Sequence, residues 1–304
     1  MESSFPPKPF NLDDTVAGVL DRFQKRLSGE PEVSGLTTGY PEIDKVTGGL
    51  KPGELHVIAE DSGVGGITLM MNIAEHVCIG QRVPAMVASC GHTSAELVEL
   101  MIFSRARYKP HWPVIGIAPT AEELERVRQA ASDTRGAPLI VYDTLLTIEA
   151  LCAEARRLKE QDDIGFLAID HLQLLRSDSM QAKTSRKRMV AEIMCRLKSL
   201  ARELHIPILL LAGLNRGPER RKGKKYGVPR FTDIRSVKTV GRYADVIGTL
   251  HHLPFYRESF EDNRGMPVRL NLFNLHHGSY SEVPLAYHNW FWRFDPARGD
   301  EWDE

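Results

Sequence analysis

Apolar residues fall along this chain in short unbroken runs separated by longer amphipathic stretches. The runs Leu55–Ala59, Ala85–Ser89, Leu139–Tyr142, Phe166–Ile169 and Pro207–Ala212 are only four to six residues long and apolar almost throughout. That is the pattern of strands buried on both faces. Between them, apolar residues recur at helical spacing and predict helices over 68–79, 94–108, 120–131, 148–160 and 187–204. Strands alternating with helices imply an α/β fold built on a mostly parallel sheet with helices on both faces. Beyond Val246 the helical spacing stops, and Val246–Leu250, Val268–Leu275 and Tyr287–Phe294 read as a C-terminal β-meander closing the sheet.

At the other end, Leu12, Val16, Val19, Leu20, Phe23 and Leu27 share a helical face, with Asn11 placed as N-cap and Gly29 as stop. A lone helix of about four turns is marginal in water, so this apolar face needs a partner subunit or folds back on its own domain. The expected organisation is a loose start plus this helix over 1–34, one α/β domain over 35–294, and a loose acidic tail over 295–304.

The stretch at 52–76, PGELHVIAEDSGVGGITLMMNIAEH, joins a strand to a helix through a glycine-rich turn. This is the layout of a P-loop, where backbone N–H groups at a helix start wrap a phosphate chain. In the working motif, G-x-x-x-x-G-K-[ST], the Lys reaches the phosphates and the hydroxyl holds Mg²⁺. Here the matching frame runs from Glu60 through Gly63, Val64 and Gly65 to Gly66 and Ile67, so glycine fills the Lys slot and isoleucine the hydroxyl slot. Sliding the frame by one restores Thr68 but puts Ile67 where Lys belongs, and no Lys or Arg lies between Lys51 and Arg82.

Composition narrows the picture further. The 304 residues are 42% hydrophobic, enough for one large domain core, and the net charge is -1. A near-neutral chain is no general polyanion binder, so any such surface is local. Cys78, Cys90, Cys152 and Cys195 are far apart without metal-ligand spacing, which fits a reducing compartment and no structural zinc. With no signal-peptide pattern in MESSFPPKPF and no apolar run near membrane-spanning length, the expectation is a cytoplasmic protein with no membrane partner. The pairs His251/His252 and His276/His277 point to opposite strand faces, which argues against metal binding. Trp290, Phe291, Trp292 and Phe294 read as packing residues, and His92 as a solvated loop histidine.

Several segments together resemble the DnaB-type replicative DNA helicases, with their RecA-like motor core: GLTTGYPEIDKVTGGLKPGELHVIA, FLAIDHLQLL, LKSLARELHIPILLL, LNR and FTDIRSV…YADVI, in the same order. The resemblance spans most of residues 35–294, and the helix at 12–28 is similar to the family's linker helix, which docks on a neighbouring ring subunit. The family's separate N-terminal helical domain is not expected within these residues. The resemblance implies ATP and Mg²⁺ as ligands: Gly63, Val64, Gly65 and Gly66 around the phosphates, Asp170 as the Mg²⁺-holding acid, and Arg235 kept from the FTDIR segment. It also marks departures. Gly66 and Ile67 replace the phosphate Lys and the Mg²⁺ hydroxyl, and His92 stands where the family has its catalytic Glu. Gly213 replaces a Gln, and Asn274 and His276 replace the basic residues that reach a neighbour's nucleotide. Glu60 and Asp61 add acids as well, and one charge pair at about 4 Å is worth roughly 4 kcal/mol at an effective dielectric of 20. ATP binding is therefore expected to be weak or lost.

Two basic stretches fall where the family's channel loops grip single-stranded DNA. The first holds Lys183, Arg186, Lys187 and Arg188; the second holds Arg216, Arg220, Arg221, Lys222, Lys224 and Lys225 among glycines. Clustered cations on glycine-rich loops suit phosphate contacts without sequence readout. Three readings follow: an ATPase-defective DnaB-like protein that binds single-stranded DNA or joins a ring helicase, an active helicase completed by partner subunits, and a RecA-fold interaction scaffold.

Overall fold

A computed structural model describes residues 12–27, 34–61, 63–111, 113–145, 147–179, 185–215, 217, 228–252, 265–275 and 278–297. The helices are α1 (Leu12–Leu27), α2 (Pro41–Thr47), α3 (Gly66–Glu75), α4 (Ser94–Ala106), α5 (Ala121–Arg135), α6 (Ile148–Asp162), α7 (Arg186–Leu204) and α8 (Val237–Tyr243). The strands are β1 (Leu55–Glu60), β2 (Ala85–Ser89), β3 (Leu139–Tyr142), β4 (Phe166–Asp170), β5 (Ile208–Gly213), β6 (Val246–His252), β7 (Met266–Asn274), β8 (Ser279–His288) and β9 (Arg293–Pro296).

All nine form one sheet in the order β3-β2-β4-β5-β1-β6-β7-β8-β9. Pairing is parallel from β3 across to β6 and antiparallel from β6 to β9. The apolar strands divide their side chains by period two between two cores. Leu55, Val57, Ala59, Leu167, Ile169, Leu210 and Ala212 face one side, where α6 and α7 bring Leu151, Leu158, Ile193 and Leu197. Ile58, Val87, Phe166, Ala168, Leu209 and Leu211 face the other, against Leu69, Met70 and Ile73 of α3 and Leu97 and Met101 of α4. Both faces being covered is why these runs carry no polar alternation.

Helix starts follow local chemistry. Thr93 and Thr120 close capping boxes with Glu96 and Glu123 at the starts of α4 and α5. Ser185 caps α7 by accepting the Arg188 N–H, so Arg186, Lys187 and Arg188 lie in the first helical turn rather than in a loop. α3 starts two residues ahead of its expected position, because Gly65 adopts φ 99° and releases Gly66 into the helix. A wide π turn, His76–Gly80, follows it.

The C-terminal meander also departs from expectation. The expected strand 287–294 is two strands, β8 and β9, broken by a turn in which Trp292 adopts φ 53°. β8 leaves little trace in the apolar pattern because its first half, with exposed Ser279 and Tyr280, is polar edge rather than apolar run. β9 reaches Pro296, so Asp295 belongs to the sheet and not to a tail: Arg107 holds it bidentately at 2.7 Å. Burial works against charge on Asp295, but hydrogen bonds from His288 and Arg107 prevail and hold its carboxyl far below the usual range.

α1 is helical over the expected span, and Leu12, Val16, Leu20, Phe23 and Leu27 on its apolar face are exposed. Asn11 and Gly29 lie outside the described residues. Among the described residues no helix is long and apolar enough to cross a membrane. Cys78, Cys90, Cys152 and Cys195 are free thiols, and no described cluster of His, Cys, Asp and Glu has the makings of a metal site.

One ion pair ties the sheet together at the end where β1 begins. Lys198 of α7 lies 2.6 and 2.8 Å from the two carboxylate oxygens of Asp245, which precedes β6, and also donates to the Gly53 carbonyl. Asp245 in turn accepts the Leu55 N–H at 2.6 Å. Its side chain is 4% exposed and that of Lys198 12%, so either charge without the other would be stranded away from water. Asp245→Ala is expected to lower unfolding free energy by about 3–5 kcal/mol, with much of it recovered when Lys198→Met is added. Urea unfolding of the single and double variants checks this; a loss under about 1 kcal/mol for the single variant would contradict a buried clamp.

Candidate functional site

Parallel strands end together. Register pairs Glu60 of β1 with Gly213 of β5, and Ser89 of β2 with Asp170 of β4, so four residues emerge along one edge of the sheet. In open α/β sheets this edge is where ligands bind. A cleft of about 740 Å³ opens there, bounded by the glycine loop, Gly91, His92, Asp170, His171, Gly213, Arg235, Tyr287 and Trp292. The sequence-derived site residues Gly63, Gly65, Gly66, Ile67, His92, Asp170, Gly213 and Arg235 all converge on it. Val64 is buried in the core beneath instead. His276 lies outside the described residues, and Asn274 sits at the end of β7, buried.

The glycine loop keeps the backbone form of a phosphate cradle, with Gly63 at φ 86° and Gly65 at φ 99°. Its first helical N–H is already engaged: Gly66 donates to Glu60 Oε2 at 2.6 Å. A Cβ added at Gly66 would run into that same carboxylate. Burial pushes the Glu60 carboxyl up to about 7; the Gly66 N–H lowers it, Asp170 and Asp61 raise it, and His92 lowers it. Ile67 supplies no hydroxyl, and the Thr68 hydroxyl is turned to the Tyr287 side chain.

Asp170 is equally engaged. Its Oδ2 accepts from Ser89 Oγ at 2.9 Å and from His92 Nδ1 at 3.0 Å. Ser89 Oγ also accepts the N–H groups of Gly91 and His92, at 3.2 and 2.9 Å, which folds the loop after β2 back over the acid. His92 stays exposed in its loop, as expected from sequence, but is tied to Asp170. The hydrogen bond to Asp170 raises its pKa, and the Asp170 and Glu96 charges add to this against burial. Ser89 is a site residue without a sequence signal, since a serine ending an apolar run carries no motif.

On the far side, Gly213 donates its N–H to Gln173 Oε1 at 2.9 Å. A side-chain amide thus occupies the end of β5 beside Gly213, and only its place in HLQLL could have flagged it. Arg235 is held over Gly213 by its Nε bond to the Leu214 carbonyl at 2.8 Å. Trp292, expected as packing, does pack on Phe103 but also walls the cleft.

Of the basic positions, Arg186, Lys187 and Arg188 are exposed on the first turn of α7. Lys187 borders a shallow hollow with Asn215, Arg235 and Lys238, adjoining the cleft through Arg235. Lys183, Arg216, Arg220, Arg221, Lys222, Lys224 and Lys225 lie outside the described residues.

Comparison with known proteins fits this geometry. The chain is 27% identical over 278 residues to the replicative DNA helicase DnaB of Geobacillus stearothermophilus, covering 91% of this chain and 60% of that protein. It is 28% identical over 298 residues to DnaB of Haemophilus influenzae, covering 96% of this chain and 62% of that protein. The chain thus spans about three fifths of the length of the curated relatives it matches. A solved ATPase domain superposes with a TM-score of 0.83 at 20% identity, covering 96% of this chain and all of that one. A DnaB-like replicative helicase, solved for its interactions with primase, superposes at 0.81 and 20% identity, covering 97% of this chain and 69% of that one. The family model for the DnaB-like helicase C-terminal domain matches residues 35–296, and the chain belongs to that family.

Proposed function

We propose that this chain is a DnaB-like protein of DNA replication that does not turn over ATP, binds single-stranded DNA, and assembles with its own copies or with a replicative helicase. The observation that carries the first part is the charge inventory of the cleft. Glu60, Asp61, Glu96, Glu99 and Asp170 line it, whereas among the described residues Arg235 is its one guanidinium, with its Nε bonded to the Leu214 carbonyl. A magnesium triphosphate brings several negative charges and needs cations around them. Gly66 offers no amine and Ile67 no hydroxyl, and the acid that would hold the metal is already bonded to His92. These residues do not fit the group, so no catalytic step is assigned to it.

ATP turnover is expected to be negligible with or without single-stranded DNA. DNA-stimulated turnover near about one per second, abolished by Asp170→Ala, would overturn this and favour the active-helicase reading. Gly66→Lys alone should not restore turnover, because the added side chain meets the Glu60 carboxylate and Ile67 and His92 remain.

DNA binding is assigned to the second basic stretch. Replacing Arg220, Arg221, Lys222, Lys224 and Lys225 with Ser should weaken binding of poly-dT and flatten its salt dependence, the log–log slope falling by about 0.7 for each phosphate left without its cation. Fluorescence anisotropy across a salt series measures both; unchanged affinity and slope would reduce the stretch to solvated charge and favour a scaffold.

Assembly is assigned to α1, whose exposed apolar face has the residues of a docking helix. Removing residues 1–32 should lower the mass seen by light scattering, alone or with a replicative helicase present. Equal masses for both forms in both settings would remove α1 from assembly.

A further inference from the structure

The glycine loop has the shape of an anion site, but α3 brings no acid to its own first turn and has no side-chain cap. Its positive end is served from a distance by Glu60, whose carboxylate sits 2.6 Å from the Gly66 N–H. We propose that the Glu60 carboxylate is the resident anion of this loop, lying where a loop of this form receives a phosphate and so closing it to phosphate groups from solution. The inference rests on the reading of the cleft as non-hydrolysing and names the residue that keeps it so.

Three observations support it. The first is placement: the carboxylate lies so close on the helix start that no side chain could replace the Gly66 hydrogen without meeting it. A phosphate oxygen approaching the same N–H would meet it too. The second is fixation. Glu60 is the last residue of β1, paired in register with Gly213 on one side and Leu250 on the other, and its carbonyl accepts the Leu214 N–H at 2.9 Å. Its side chain therefore leaves a rigid strand end and crosses the mouth of the loop.

The third is energetic. A carboxyl beside an open cleft has water available, yet this one turns half-buried onto Gly66, with burial and the neighbouring acids Asp170 and Asp61 opposing its charge. Bonds between a carboxylate and a backbone N–H are among the stronger hydrogen bonds, and the helix dipole adds to them. An ordinary distal cap would leave the remaining N–H groups of the loop open to phosphate, whereas a resident anion excludes it.

Inorganic pyrophosphate, titrated calorimetrically into the full chain and two variants, separates these. Glu60→Ala empties the loop; Glu60→Gln removes the charge but leaves an oxygen within reach of Gly66. The expected result is no detectable heat for the native chain and for Gln, and binding at least about tenfold tighter for Ala. Equal binding by the Gln and Ala variants would show that charge alone excludes the anion and would overturn the proposal. Silence in a folded Ala variant, or binding by the native chain, would overturn it as well. If the Ala variant does not fold, the Gly66 amide resonance decides in the native chain: unmoved by millimolar pyrophosphate supports the resident carboxylate, and a shift overturns it. ATP turnover is measured on the same samples. Pyrophosphate binding by the Ala variant but not by the native chain, together with ATP hydrolysis by the native chain, would uphold the resident anion while refuting the non-hydrolysing reading, so the two fail separately.

Discussion

Parallel pairing on both sides of β1 is the constraint from which the rest of the molecule follows. Because β1 lies between β5 and β6 in parallel register, the strand ends that carry Glu60, Ser89, Asp170 and Gly213 reach the same edge of the sheet. The opposite edge holds the Lys198–Asp245 clamp. Cohesion is thus concentrated at one end of the strands and chemistry at the other. Gly66, Ile67 and His92, at the cleft end, take no part in that clamp.

The groups at the cleft end form a self-consistent set. An acid at Glu60 is costly beside Asp170 and Asp61 unless something receives it, and the N–H of Gly66 does so. A lysine in the same slot would compete for that carboxylate, which a Cβ there would displace. Asp170, the acid otherwise left with no counter-charge, is met by Ser89 and His92 from the next strand end. The Gly66 N–H and the Asp170 carboxylate thus both face side chains of the same protein.

The strands and helices of the parallel half were legible in the sequence because burial on both faces writes itself as short apolar runs. The order of those strands was not, since any run of this type fits any central position. The meander was half legible: β6 and β7 carry apolar patterns, whereas β8 alternates and begins with exposed polar residues, and its turn rests on the backbone of Trp292. At the site, motif positions located the loop, Asp170, His92, Gly213 and Arg235. Their pairing was not legible. Nothing in a linear reading says that Glu60 bends back to Gly66, that Ser89 bridges Asp170 to the following loop, or that Gln173 reaches the end of β5. These are contacts between side chains and backbone across the fold, fixed by strand register and not by local pattern.

The glycine loop is also backed by rings from the far end of the chain. A Cβ at Gly65 would lie 3.0 Å from Tyr287 Cζ and 3.1 Å from Phe294, and the two rings stack at 4.5 Å between centroids. The loop is made early in synthesis, but the rings that back it come from β8 and β9, which follow much later in the chain. Contacts so distant in sequence form late, after the loop-closure entropy has been met. A nascent chain that has not yet reached Phe294 holds a complete strand, glycine turn and helix, but not the finished cradle. The part of the molecule most recognisable in sequence is thus among the last to take its final form.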